Sequence, residues 1–485
     1  MMGKKNKPAN IDFDKIFIIL FPALLLIATA IFKEETYFLV VSLLACIFFY
    51  ELVIFKYRLI YGLNGLRILS IPSLVFFTYT ILIAIPSITV YLSETHPNRF
   101  LYFFSILCYY IIVPLSYRIS FLFSPIKINL LHKNFLGGFK KSKLDIIGYE
   151  ILLIMFSLSV GILFIYLLRV DRIPLFEIFS NKNAYLALEI LREKSMKLLD
   201  VSIFEKYLFS WQREIILPFG ILGSLFLAAQ YNRNKYKILF LLFLLMGIFN
   251  NSLTVAKMPT ASIIFSLCSF YFIYRQRINF KFVLISLIVI FIFPIFIMYV
   301  VSIPELRSPE IVFTALLNRI FVIPAAVLFQ YFKIFPSMHS FLYGKSTNLF
   351  SWLYSEGNFK TANYVAKIWW QEPNTTGSAN AVYLGNFWAD FGIAGVIFST
   401  LFVALFLHYF YLLILRSSNY SKNIIYITLT TGLVGTFTFN FISTSVTILF
   451  ITKGLIFVII LLILQNLFFG RLVKESNSIK TSSFV

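Results

Sequence analysis

The side chains able to do chemistry in this chain are mostly cations, and several lie inside or beside apolar runs. Arg213 and Glu214 fall one to two turns into such a run. A charge costs about 2.5–3.5 kcal/mol at a bilayer centre on insertion scales, and less near the ends, so residues of this kind pair, snorkel or line a polar cavity. Lys257 stands where two apolar runs meet. Arg319 lies in the semi-apolar stretch NRIFVIPAAV, with a loop ion pair as its plain alternative. Arg307, flanked by Glu305 and Glu310, reads first as a solvated charge cluster. His339 in FPSMHSFLYGKS has the imidazole suited to proton transfer near neutral pH, and Lys345 follows it. Asp390, in YLGNFWADFGIAGVIF, is an acid inside an apolar run, with Gly392 and Gly395 allowing close helix packing. It is a base, a cap on a helix break or a partner of Arg213.

Arginine suits phosphate because its planar guanidinium offers two parallel donors. A lipid-linked pyrophosphate, with its tail in the bilayer and its sugar in water, fits cations gathered at a membrane face. Trp352, Tyr354, Tyr364, Trp369 and Trp370 add flat apolar faces on which sugar rings stack. Other chemistries lack their signatures. The chain has no GxxxxGK[ST] phosphate loop, no Rossmann glycine fingerprint and no HExxH, and its four histidines are scattered. Asp12-Phe13-Asp14 reads as incidental, so no metal and no cofactor is expected. Cys46, Cys108 and Cys268 all fall in apolar runs, which argues against a disulfide framework.

These residues must be positioned by membrane helices. Of 485 residues, 59% are hydrophobic and 13% charged, with a mean hydropathy of +0.85. That is far below the roughly 25% charge of soluble domains. The apolar runs are continuous rather than alternating, which selects helices over barrel strands. They fall near 16–32, 37–55, 68–92, 100–123, 145–168, 208–230, 238–254, 258–274, 282–301, 382–410, 424–442 and 454–469. At roughly 20 residues per crossing this predicts an all-α polytopic membrane protein of about twelve spans. The first run has the basic flank of a signal peptide and is expected to stay as an anchor.

The net charge of +21 suits orientation in a membrane better than nucleic-acid binding. Lys and Arg crowd alternate connections: Lys56/Arg58/Arg67, Arg118 to Lys143, Arg233/Lys235/Lys237, Arg275/Arg277/Lys281, Arg416/Lys422 and Arg471/Lys474. The short connections on the other side carry only Lys33, Arg99, Lys257 and Lys453. By the positive-inside rule both termini are expected in the cytoplasm. Spans within 1–301 are then interrupted by a first outer loop at about 169–207, whose Asn183–Leu199 stretch suits a surface amphipathic helix. A second outer loop covers 302–381, spans resume over 382–470, and 471–485 form a cytoplasmic tail.

Three stretches carry a resemblance. NRIFVIPAAVLFQYFKIFPSMHSFLYGKS, TANYVAKIWW and TTGSANAVYLGNFWADFGIAGVIF, with TVAKMPTASIIF upstream, resemble the Wzy-type O-antigen polymerases over about residues 250–400. The two large outer loops fall third and fifth among the outer connections, as in that family. The resemblance implies a GT-C-like helical fold in the bacterial inner membrane. It also implies metal-independent transfer of a growing glycan from one undecaprenyl-pyrophosphate carrier to another lipid-linked repeat unit, in lipopolysaccharide or related polysaccharide biosynthesis, with a chain-length regulator as a possible partner. Family proteins place a Gly nine or ten residues beyond a loop Arg. Arg213 and Gly223 fit, with nine between, whereas Gln330 stands where Arg319 would need its Gly. O-antigen ligases carry a His and an Asn ahead of their Gly-x-x-Gly; here Ala381 and Val382 stand there.

The expected enzyme holds the leaving pyrophosphate with Arg213, Lys257 and Arg319, with Arg307, Lys345, Trp369 and Trp370 as further substrate contacts. Asp390, or next His339, takes the acceptor proton. The alternatives are an O-antigen ligase and, from another class, a lipid-linked oligosaccharide flippase or transporter.

Overall fold

The computed structural model describes residues 34–56, 70–123, 144–180, 201–253, 257–275, 308–346, 359–373, 377–420 and 448–464, with single residues between them. Among these residues there are helices and turns and no strand. Eight helices are long and apolar enough to cross a membrane: Glu34–Ile54, Ile71–Ser93, Arg99–Ser120, Asp145–Arg169, Phe204–Tyr231, Asn234–Leu253, Glu310–Ile334 and Tyr383–Arg416. The protein is thus an all-α multi-pass membrane protein. Seven of the eight coincide with expected runs. The runs at 258–274 and 454–469 contain the shorter apolar helices Ser262–Arg275 and Leu455–Leu464. Those at 16–32, 282–301 and 424–442 lie almost wholly outside the described residues, as do Arg307 and most of the loop at 181–200.

We label the helices α1 (Glu34–Lys56), α2 (Ile71–Ser93), α3 (Arg99–Phe123), α4 (Leu144–Arg169), α5 (Pro174–Ser180) and α6 (Ile203–Trp211 continued by Gln212–Ile216 and Leu217–Tyr231). Then come α7 (Asn234–Leu253), α8 (Lys257–Arg275), α9 (Pro309–Leu317, Asn318–Val322 and Ile323–Ile334), α10 (Thr361–Trp370), α11 (Tyr383–Tyr420) and α12 (Leu455–Leu464).

Proline shapes three of the long helices. Each of α2, α6 and α9 contains one π turn, at Thr80–Ala84, Gln212–Ile216 and Asn318–Val322, and Pro86, Pro218 and Pro324 stand two residues beyond them. A proline ring in an α-helix clashes with the carbonyl four residues back and cannot donate to it. Here the turn widens instead: Ile85, Leu217 and Ile323 donate to Thr80, Gln212 and Asn318, five residues back. A fourth π turn, Ile448–Thr452, leads into Lys453 and Gly454.

Two helical clusters result. One packs α1, α2, α3, α9, α10, α11 and α12 around a tyrosine-rich core that includes Tyr50, Tyr79, Tyr102, Tyr109, Tyr110, Tyr331 and Tyr383. The other packs α4, α6, α7 and α8 around Leu217, Ile221, Phe226 and Phe243. Outward faces carry Ile154, Leu168, Leu245 and Phe398, each well exposed as a lipid-facing residue should be.

The region 302–381 differs from its expectation. It contains Glu310–Ile334, a helix long and apolar enough to cross. Its 25 residues measure ~38 Å at 1.5 Å per residue, more than a ~30 Å hydrocarbon core. α9 runs in the same direction as α2: Lys333 lies 3.8 Å from Glu94 at one end of the pair, and the π turns of the two helices pack together. Asn98 Nδ2 also donates to the Phe332 carbonyl at 2.7 Å. The non-helical stretch therefore begins at Phe335, at the Glu94–Asn98 end that was expected to face outward.

Candidate functional site

Two groups of polar side chains are built into this frame. The first lies on the seam between the clusters. The π turn of α6 presents Arg213 and Glu214, and the π turn before α12 presents Lys453, whose N–H donates to the Ile448 carbonyl five residues back. Gly454 makes the approach possible. Its φ is +73°, a conformation that side chains rarely adopt, and a Cβ there would lie 1.9 Å from Ile215 Cδ1, so Ile215 would have to move. Trp211 packs edge-on against Phe457 at 4.7 Å just beside it. One oxygen, Glu214 Oε1, lies 2.6 Å from Lys453 Nζ and 3.4 Å from Arg213 Nη2. The side chains of Arg213, Glu214 and Lys453 are 16%, 7% and 17% exposed. Gln212 is turned away, donating to the Ser159 carbonyl at 2.7 Å. Two cations thus share one carboxylate, and the buried Nε of Arg213 has no hydrogen-bond partner among the described residues.

The second group lies in the outer stretch after α9. Asp390 is 1% exposed and tied to this stretch: its Oδ2 accepts from Ser346 Oγ at 2.5 Å and its Oδ1 from Ser346 N at 3.2 Å. Backbone bonds from Leu342 N to Ala389 O and from Tyr343 N to Asp390 O complete the anchor. Trp388 Nε1 donates to the Phe335 carbonyl, and its ring stacks on Phe332 at 4.1 Å. The helix yields here to permit this. Gly392, with φ +58° and ψ −140°, breaks α11, and Phe341 packs where its Cβ would be. Both carboxylate oxygens of Asp390 accept from Ser346, so the side chain ties the stretch after α9 to α11.

His339 is carried by the stretch that Asp390 and Trp388 hold. Its ring is half-buried among Phe335, Phe359 and Tyr364, at centroid distances of 5.5, 5.1 and 5.4 Å. Nδ1 lies 2.7 Å from the Ser340 carbonyl. A carbonyl only accepts, so Nδ1 is the donor in this contact, and in the neutral ring that leaves Nε2 as the acceptor. Lys345 Nζ lies over the Tyr354 ring at 5.2 Å, and Tyr354 donates to the Tyr343 carbonyl.

The remaining expected residues stand apart. Arg319 projects from the π turn of α9 and is exposed, with no ion pair among the described residues. It sits mid-helix, where a charge is dear unless it meets a polar partner. Lys257 opens α8. Trp369 packs against the main core and Trp370 is exposed beside Gly377, their rings 6.2 Å apart. No hydrogen bond or ion pair joins Arg319, the seam group and the His339 group to one another among the described residues.

Sequence reading missed Lys453, taken only as an isolated outer charge. It also missed a repeated signal. Gln212-Arg213-Glu214-Ile215-Ile216-Leu217-Pro218 and Asn318-Arg319-Ile320-Phe321-Val322-Ile323-Pro324 share an amide, an arginine and a proline at the same spacing. Both form the same π turn with arginine at its second position. No protein-family model, no curated protein and no solved structure matches this chain.

Proposed function

We propose that this protein is a membrane glycosyltransferase that polymerises lipid-linked oligosaccharide units at the outer face of a bacterial inner membrane. Its substrate on this reading is an undecaprenyl-pyrophosphate-linked repeat unit, in O-antigen or related surface-polysaccharide synthesis. The observation that carries the reading is the pair of proline-terminated π turns, each setting one arginine, Arg213 or Arg319, inside an apolar helix. A cation kept at that depth, at a cost, fits an anion that arrives through the lipid.

The residues divide the work as follows. Arg213 and Arg319 take phosphate oxygens and offset the charge that grows on the leaving pyrophosphate, electrostatic help that lowers a barrier by several kcal/mol. His339, through Nε2 of its neutral ring, accepts the proton of the acceptor hydroxyl as the glycosidic bond forms. Asp390 holds the stretch that carries His339. Trp370, exposed, offers a face for a sugar ring. The outward orientation of Phe335–Ser346 rests on the basic connections between α1 and α2, α3 and α4, and α6 and α7. The test is chain length in cells. Arg213→Ala and Arg319→Ala should each reduce long glycan to single repeat units at unchanged protein level; wild-type ladders from both overturn the assignment.

A further inference from the structure

The geometry points to an anion seat on the seam, built by Arg213 and Lys453 around Glu214, that takes the phosphate of a lipid. Charge count and burial argue for it. Two cations and one carboxylate leave the described group one positive charge in excess, with all three side chains less than a fifth exposed. An uncompensated charge is not kept in an apolar interior without a partner. Glu214 cannot supply the missing anion, since its Oε1 already serves both cations and favours Lys453, at 2.6 against 3.4 Å. Arg213 has five donors in a rigid fork, and its buried Nε is unmet. That fork matches the spacing of two phosphate oxygens.

The source of the phosphate follows from the neighbours. Trp211 packs on Phe457, and Ile215 and Phe457 adjoin Gly454, next to Lys453. The face of α12 beyond it exposes Ile456, Phe457, Ile460 and Leu461, so the approach runs along hydrocarbon. A free phosphate has no such path, whereas the head of a polyprenyl pyrophosphate reaches the seat with its chain still in lipid. Glu214 then acts as a resident counter-ion. It keeps the two cations together while the seat is empty and weakens the phosphate's hold when the seat is full. This deepens the polymerase reading, on which it rests for the identity of the lipid, but binding is measured apart from turnover.

The experiment uses the full chain in phosphatidylcholine nanodiscs, with polyprenyl pyrophosphate as probe and Trp211 fluorescence against a Trp211→Phe background as the signal. Lys453→Gln should weaken binding roughly ten- to hundredfold, as loss of a charge-assisted contact does. Lys453→Arg should restore it, and Glu214→Gln should tighten it severalfold. A merely structural pair predicts no tightening, because losing either partner would loosen the seam alike. Unchanged affinity in Lys453→Gln, or weaker binding in Glu214→Gln with the same unfolding profile as wild type, overturns the seat. Equal affinity for inorganic pyrophosphate or for phosphatidylglycerol overturns the polyprenyl assignment. Tight, Lys453-dependent binding by a protein that elongates no glycan leaves the seat standing and removes the polymerase reading.

Discussion

Removing the Glu214 carboxylate is the perturbation whose size the structure defines best. Glu214 Oε1 lies within 3.4 Å of both cations, and its side chain is 7% exposed. Glu214→Ala leaves two positive groups buried beside one another, and breaking a buried pair by taking one partner costs about 3–5 kcal/mol. At 1.4 kcal/mol per power of ten, the folded-to-unfolded ratio falls roughly two to three and a half powers of ten. Lys453→Met should cost less, because Glu214 keeps Arg213 as a partner. In the double variant the loss should be smaller than the sum of the two, with a coupling of at least ~1.5 kcal/mol, as for close charge pairs elsewhere. Unfolding in mixed micelles with increasing SDS, followed by tryptophan fluorescence, reads all four proteins. A Glu214→Ala protein within about 1 kcal/mol of wild type, or additive single effects, would mean that water or lipid head groups screen the seam and that the burial argument fails.

Three further outcomes follow from the outer group. Asp390→Ala should free Ser346 and raise amide hydrogen exchange over residues 341–346, while Asp390→Asn, which keeps a carbonyl acceptor, should do so less; unchanged exchange in both would return Asp390 to the role of base. His339→Gln should abolish elongation with α9 and α11 still protected from exchange, and retained elongation would exclude His339 as proton acceptor. Gly392→Ala puts a Cβ at φ +58° and 3.0 Å from Phe341, so it should destabilise the protein by about 1–3 kcal/mol. An unaffected unfolding midpoint in that variant would show that the break in α11 does not depend on glycine.

Much of the membrane architecture was legible because hydropathy is a local property. The runs at 37–55, 68–92 and 145–168 needed no knowledge of partners to be found, and each is a span-length helix. The helix α9 did not stand out in the sequence, for a physical reason. Pro309, Glu310, Asn318, Arg319, Pro324 and Gln330 all break an apolar reading, yet proline sits comfortably at a helix start and a π turn absorbs Pro324. An 18-residue stretch of α9 still reaches a mean hydropathy of 2.1, so one arginine dilutes such a segment little. The site was legible in kind but not in grouping. Arg213 and Glu214 adjoin in sequence, whereas Lys453 reaches them across 239 positions through the π turn and the left-handed Gly454. Asp390 stood out as a buried acid; that Ser346 takes up both of its oxygens depends on a tertiary approach that no local pattern encodes.

The most direct test supplies the purified protein in proteoliposomes with a single lipid-linked repeat unit and follows the products by gel and mass. The account predicts a ladder of lengthening glycans on lipid pyrophosphate, with one polyprenyl pyrophosphate released per bond formed and the ladder lost in Arg213→Ala. Movement of the unit from one leaflet to the other with no new glycosidic bond would contradict it and make the protein a transporter of that lipid instead.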